Sequence, residues 1–211
     1  MKRKSAVALA TATAAFTLLI AQFASAQAAP SKDNSSVAMQ QAMQMVPALV
    51  SPTQTIDASK VQQGDQIKAT LSEKVQLKNG TELPRGTELT GQVTVDQMQN
   101  DGTYRLALVF SNAQLKNGTV IPIKATIMRV YARCCSLIYQ PLGLDMAYAY
   151  PITKWTDRSL QVHQHDALEG VDLQSGIADS NSGNFVSKKK DDIWLSTETI
   201  LDLAIAAQGK S

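Results

Sequence analysis

The middle of the chain alternates apolar and polar side chains. In Gln66–Lys78 the odd positions are apolar except for Glu73, and the even positions are polar. The same period of two returns in Thr87–Val95, Tyr104–Phe110 and Val120–Ile127. Side chains that alternate in this way are typical of strands with one buried face. The pattern therefore predicts four strands, with Gln66–Lys78 forming one strand that is interrupted once.

A fifth apolar alternation closes the chain. Leu201, Leu203 and Ile205 follow Ile193 and Leu195 at odd positions, which predicts a long final strand that is central or closes a barrel. Together these elements predict an all-β fold, either a small antiparallel β-barrel or a barrel-like sandwich. A short N-terminal helix or tether and a long irregular excursion complete the predicted fold.

The hexapeptide QLKNGT occurs twice, at Gln76–Thr81 and at Gln114–Thr119. A three-residue loop with its glycine in the left-handed conformation places Leu77 opposite Thr81, so the apolar face continues across the hairpin. A two-residue loop would instead place Leu77 beside a carboxylate. Both copies also match the N-glycosylation sequon. Because the N-terminus resembles a bacterial export signal, we interpret the repeat as structural turns that set strand register, formed around Asn79, Gly80, Asn117 and Gly118.

The N-terminal third divides into two segments before the predicted barrel. Residues 1–26 combine a basic start, an apolar stretch and small residues at a cleavage site, which predicts a signal peptide. Residues 27–58 are predicted to be a flexible tether containing a short amphipathic helix, with Met39, Met43 and Val46 on its apolar face and Pro47 ending it. The barrel-like domain is expected over 59–206, with an insertion at about 131–170. Residues 207–211 form a tail.

Cleavage of the signal peptide changes the charge balance. The three basic residues Lys2, Arg3 and Lys4 leave with it, so the formal net charge changes from +2 to −1. This removes the main electrostatic reason to expect a nucleic-acid partner. We expect a periplasmic or extracellular protein without an integral membrane segment after cleavage.

The histidines suggest one candidate metal site. His163 and His165 would project from the same face of a strand, and Asp166 could add a carboxylate. These are the only two histidines in the chain, which excludes a three-histidine zinc site within one copy. The alternative interpretation is a solvated polar segment. No P-loop, dinucleotide fingerprint or nucleophile elbow occurs, and no cofactor is expected.

The excursion contains two further groups of candidate residues. Its aromatic side chains could form a binding surface or cover an open end of the barrel, and they include Tyr139, Tyr148, Tyr150 and Trp155. Cys134 and Cys135 are adjacent. Adjacent α-carbons lie closer together than ordinary disulfide geometry allows, so a strained vicinal disulfide, two thiols and bridges to another chain all remain open.

The stretch LKNGTELPRGTELTGQV, followed by YRLALVFSNAQLKNGTVIPIKA, resembles the C-terminal β-barrel domain of TrbI-like proteins of conjugation and type IV secretion machines. The similarity covers residues 61–128 and, more loosely, 191–206. Full-length members carry an inner-membrane helix and a proline-rich linker, whereas this chain has a cleavable signal. Glu198 and Thr199 stand where that family carries Gly-Thr. The resemblance implies a barrel and, as an expectation, a role in envelope assembly.

These observations predict a secreted bacterial envelope protein that acts as a non-enzymatic binding or assembly module. Its expected partners are proteins of the cell envelope, including further copies of the chain in a homo-oligomer. The alternative is a metal-binding protein or metal-dependent hydrolase centred on His163 and His165. A carrier of a small apolar ligand inside the barrel is a third hypothesis, because alternation does not distinguish a filled interior from a hollow one.

Overall fold

The computed structural model describes residues 39–131 and 161–208, all within one compact unit. A short helix spans residues 39–44. The strands are β1 (Val46–Pro52), β2 (Ile56–Asp57), β3 (Gln66–Leu71), β4 (Val75–Gln76), β5 (Glu82–Leu83), β6 (Glu88–Met98), β7 (Tyr104–Gln114), β8 (Val120–Tyr131), β9 (Gln161–Leu168), β10 (Val171–Gly176), β11 (Gly183–Ser187), β12 (Trp194–Leu195) and β13 (Ile200–Ala207). A 3₁₀ turn spans Lys190–Asp192.

Six strands close into an antiparallel barrel in the order β6-β3-β1-β13-β8-β7, with β7 pairing back to β6. The predicted all-β class is therefore confirmed. The last strand, β13, lies between β1 and β8. Its Leu201, Leu203 and Ile205 side chains are fully buried in the barrel core, so the odd positions of the final alternation face inward.

The first barrel strand comes from a segment that the sequence pattern predicted to be a tether. Val46–Val50 pairs with β13, and Val50–Pro52 pairs with β3. The prediction of a flexible tether over 27–58 is therefore wrong for β1. Tertiary pairing decides the conformation here, because six or seven residues carry too weak a local signal to distinguish a tether from a strand.

The short helix also differs from the predicted one in its buried face and its end. It ends before Met45, and Pro47 lies within β1. Met43 is 66% exposed, whereas Ala42 and Met45 are buried. The buried pair packs on the outer face of the barrel against a small apolar group: Ile177, Ala204 and Ala206.

The predicted single strand over 66–78 is two strands. β3 ends at Leu71, and the chain then leaves the barrel wall to form the β4–β5 hairpin. In that hairpin Val75 lies opposite Leu83, and both side chains join the core together with Leu77. The alternation continues across the break because residues on both sides of it face the same core.

Two small two-stranded sheets lie at opposite ends of the barrel. β4–β5 follows the end of β3, and we call this the β4/β5 end. β12 pairs with β2, which follows the end of β1, and we call this the β2/β12 end. Their inward side chains complete the apolar core: Ile56, Val75, Leu77, Leu83 and Leu195.

The remaining strands form a flap on the barrel wall. β11 pairs with the first half of β7, while β8 pairs only with its last three residues, so β7 and β8 separate along most of their length. Ser182 fills that separation. Its N–H donates to the Leu108 carbonyl (2.7 Å), its carbonyl accepts from Ile127 N–H (2.6 Å), and its Oγ accepts from Phe110 N–H (2.7 Å). One residue thus hydrogen-bonds to both barrel strands.

β9 continues the flap and approaches β8 again. The Gln164 side-chain amide accepts from Val130 N–H (3.0 Å) and donates to the Val130 carbonyl (3.1 Å). The side chain therefore replaces the backbone partner that a neighbouring strand would supply. Because β9 includes residues 161–168, the predicted irregular insertion over 131–170 is wrong for that part.

Candidate functional site

Both histidines lie on β9 with exposed side chains. His165 Nδ1 is 3.2 Å from Asp172 Oδ2 on β10, and the backbone N–H of Asp166 donates to Asp172 Oδ1 at 3.1 Å. Asp166 itself has a positive φ of 49°, at a point where the register between β9 and β10 is shifted. Asp172 therefore holds a bulge in place, and it is the acid that the histidine contacts.

The structure does not bring the predicted metal ligands together as a set. Asp166 contacts Asp172 through its backbone N–H and not through its carboxylate. The sequence pattern did not indicate Asp172 as a partner. Among residues 39–131 and 161–208, no group of three or more His, Cys, Asp and Glu side chains could hold a metal ion. The exposed pair of His165 and Asp172 can form at most a weak surface ion pair. Metal binding at His163, His165 and Asp166 stays a prediction.

The other candidate residues of the excursion lie outside the described residues. They are the aromatic residues Tyr139, Tyr148, Tyr150 and Trp155, and the cysteines Cys134 and Cys135. Their proposed roles as a binding surface and as a disulfide or thiols stay predictions.

The repeated hexapeptide forms the two turns expected from its register. Leu77 donates its N–H to the Thr81 carbonyl (2.8 Å), and Leu115 does the same to Thr119 (2.9 Å). The glycines have φ values of 86° and 85°, a region that residues with a Cβ rarely adopt. A third hairpin, over Gln99–Thr103, has the same pattern with aspartate in place of asparagine.

The barrel interior is filled with apolar side chains. Phe110, Leu106, Leu108 and Ile123 are all buried to 2% exposure or less and belong to one continuous core. Barrels of about eight strands are either filled by their own side chains or hold one small ligand, and this barrel has only six strands. The described residues therefore favour a barrel filled by its own side chains over one that carries a small apolar ligand.

A groove lies on the surface between β1 and β4, with a volume of about 170 Å³. Ligand pockets usually measure roughly 300–1,000 Å³. The Leu49 carbonyl accepts a hydrogen bond from Ser72 N–H at 2.8 Å, so the backbone groups of Leu49 point toward this groove. Backbone direction alternates along a strand, so the backbone groups of Pro47, two residues earlier, point the same way. Pro47 has no N–H to offer there. The edge consequently lacks one of the donors that an added strand would need.

An ion pair lies at the β2/β12 end. Lys190 Nζ is 3.2 Å from Asp96 Oδ1 and 5.1 Å from the centre of the Tyr104 ring. The Asp96 side chain is 10% exposed. The 3₁₀ turn is anchored next to this pair, because Asp192 accepts a hydrogen bond from Ser187 Oγ at 3.0 Å. This arrangement fixes the loop between β11 and β12. The run of three lysines at 188–190 predicted a solvated segment, whereas Lys190 makes a specific contact.

A buried carboxyl group lies on the outer face of the barrel. Asp202 of β13 stands between Leu49 of β1 and Arg129 of β8 and is 6% exposed. Burial raises the pKa of its carboxyl to about 6, and Arg129 opposes that rise. A group of this kind can titrate near neutral pH, but no second titratable group that would act with it as an acid–base pair is seen among the described residues around it.

Four large apolar side chains are exposed on the described surface: Met43, Met98, Val120 and Trp194. Met98 ends β6, and Trp194 belongs to β12, so both belong to the β2/β12 end. Trp194 and Val120 are each 53% exposed. Exposed tryptophan and methionine are the side chains that protein interfaces favour.

The fold and its surface define a small closed β-barrel with a filled core. No protein-family model matches the chain, and no curated protein matches it. Among solved structures, the chain is similar to ComB10 of the Com type IV secretion system of Helicobacter pylori, with 10% identity and a TM-score of 0.35. The match covers 76% of this chain and 83% of that one.

A match this weak is a distant structural resemblance and carries no argument about function. It does not place the chain in the TrbI-like family. Within the described residues, no helix is long and apolar enough to cross a membrane.

Proposed function

We propose that this protein is a non-enzymatic binding or assembly module of the bacterial cell envelope, exported by the signal peptide at residues 1–26. The observation that carries the proposal is the filled barrel. Among the described residues, core side chains such as Phe110 and Leu106 are buried to 1% or less, which supports ligand binding on the surface over binding inside the barrel.

The surface favours a protein partner over a small molecule. The groove at β1 is smaller than usual ligand pockets, and Pro47 makes its edge a poor template for an added strand. The β2/β12 end instead presents Met98 and Trp194, which are suited to an apolar protein contact. The ion pair of Lys190 with Asp96 holds the loop before Trp194 and so limits the entropy that binding would cost.

Native mass spectrometry of the protein isolated from its own cell envelope tests this proposal. A particle that contains several copies, or a second protein, is the expected result. Trp194→Ser should reduce the amount of that particle, whereas Val120→Ser, at the same exposure on the opposite end, should not. A wild-type protein that is always monomeric would overturn the proposal, as would equal effects of the two substitutions.

The same preparation tests the metal hypothesis. A stoichiometric metal that is lost on His163→Ala, together with turnover that depends on His163 or His165, would replace the assembly function by a metal-dependent one.

A further inference from the structure

Three hairpin turns in this protein have one chemical design. In each, an asparagine or aspartate is followed by glycine and threonine: Asn79-Gly80-Thr81, Asn117-Gly118-Thr119 and Asp101-Gly102-Thr103. The side-chain oxygen of the first residue accepts the threonine N–H, at 3.1, 3.0 and 2.9 Å respectively. The glycine N–H donates to the carbonyl two residues before the asparagine or aspartate, at 2.9, 2.9 and 3.1 Å.

Asparagine followed by glycine is prone to an intramolecular reaction. The glycine backbone nitrogen loses its proton and attacks Cγ of the asparagine, so that a new C–N bond forms. The bond from Cγ to Nδ2 then breaks, and the leaving nitrogen takes up a proton and departs as ammonia. Water then opens the five-membered imide at either carbonyl. One opening gives aspartate, and the other gives isoaspartate, in which the main chain runs through the former side-chain carbonyl.

The turn geometry both assists and restrains this reaction. The Thr81 N–H points at Asn79 Oδ1, the oxygen on which negative charge develops during the attack. The attacking Gly80 N–H is meanwhile bonded to the Leu77 carbonyl, and that bond must open first. Both residues of the dipeptide are exposed, so local opening of the turn costs little free energy and water can reach it. The second copy has the same contacts at Asn117 and Gly118.

We propose that Asn79 and Asn117 are paired sites of spontaneous deamidation, and that the two products have opposite effects on the fold. Asp101 shows that an aspartate in this position makes the same turn, so the aspartyl product keeps each hairpin. Isoaspartate lengthens the main chain by one carbon and removes the side chain that accepts the threonine N–H, so strand register is lost.

Isoaspartate should disturb the fold more at the first copy of the turn than at the second. Leu77, directly before the first turn, is 2% exposed and belongs to the core. Leu115, at the matching place in the second turn, is only partly buried. Isoaspartate at Asn79 should therefore release the β4–β5 hairpin from the barrel, while isoaspartate at Asn117 disturbs mainly the turn between β7 and β8.

Incubation of the signal-free protein at mildly alkaline pH, followed by peptide mapping, tests the reaction. Asn79 and Asn117 are the only asparagines followed by glycine, and they should gain the mass of deamidation before the other asparagines. Because their local hydrogen bonds are the same, the two rates should agree within about twofold. In urea both should rise by about fivefold or more, since the glycine N–H is then free.

The products provide the second half of the test. Asn79→Asp should fold with wild-type protection from hydrogen exchange over residues 72–84, as Asp101 leads us to expect. The isoaspartyl fraction at residue 79, separated by ion exchange, should lose protection there, whereas the isoaspartyl fraction at residue 117 should keep it. Deamidation that begins elsewhere overturns the site assignment. Loss of protection in Asn79→Asp, or full protection in the isoaspartyl fraction, overturns the assignment of effects.

Discussion

The buried carboxyl group of Asp202 should make the protein less stable as the pH rises toward neutrality. The side chain is 6% exposed on β13, and burial raises the pKa of its carboxyl to about 6 from its ordinary value of 3.8. Between these two values the folded protein binds a proton that the unfolded chain has released. The free energy of unfolding therefore falls as the pH rises through this window and is constant above it.

The magnitude follows from the size of the shift. A rise of about two pKa units corresponds to about 3 kcal/mol at 1.36 kcal/mol per unit. This is an upper value, because relaxation and water entry reduce the cost of a buried charge. Arg129 on the neighbouring strand β8 is the charged residue directly opposite Asp202. Arg129 favours the ionised form of Asp202, but burial has the larger effect, so the pKa of the carboxyl rises.

Asp202→Asn removes the titration while keeping the shape of the side chain. In chemical denaturation from about pH 4 to about pH 8, the stability of the wild type relative to the variant should decline by up to about 3 kcal/mol. The change in stability with pH is the quantity to compare, because the buried amide changes the free energy of unfolding of the variant at every pH. Asp191→Asn, at an exposed carboxylate, is the matched control and should retain the wild-type decline. Parallel curves for wild type and Asp202→Asn would refute the reasoning.

Two further substitutions in the barrel wall and one in the β4–β5 turn test local packing and backbone geometry by thermal or chemical denaturation. Ser182→Ala leaves the Phe110 N–H without its acceptor inside the protein and should cost about 1–3 kcal/mol; a neutral effect would mean that another acceptor replaces the hydroxyl. Gly91→Ala places a Cβ 1.8 Å from the Val109 carbonyl oxygen and should cost about 3 kcal/mol or more, so a well-folded variant of wild-type stability would contradict the close approach of β6 and β7. Gly80→Ala forces a residue with a Cβ into φ of 86° and should cost about 1–2 kcal/mol, and no loss would show that the turn can change type.

The strand pattern of the barrel could be read from the sequence because each wall strand has one face in the core. Leu106, Leu108 and Phe110 are buried as the alternation requires, and the fold class followed from such segments. β1 escaped prediction for a physical reason. Its partner β13 lies about 150 residues away, and such a distant pairing leaves no mark on the local pattern of Val46–Pro52.

The surface features were less predictable still. Ser182 connects two barrel strands, yet it lies in a run of serine, asparagine and glycine that is typical of a loop. Asp172 contacts His165 at a place where a bulge shifts the register between β9 and β10. The Glu169-Gly170 turn, just before Asp172, is the sequence signal that could have suggested this contact. Asp202 could have been noticed as a single charge within an otherwise apolar strand. Such contacts depend on register shifts and distant neighbours, which periodicity does not encode.

The pairing of β1 with β13 also determines when the molecule can fold. Val46–Val50 of β1 pairs with β13, so this edge of β1 has no native partner until residues 200–207 have been synthesised. Contacts between residues so distant along the chain must overcome a large loop-closure entropy, and proteins rich in them fold slowly. A chain that emerges from its N-terminus would therefore stay open, with β1 and β8 both unsealed, until Ile200–Ala207 arrives. Loss of that final segment alone would leave two aggregation-prone edges in place of a closed wall.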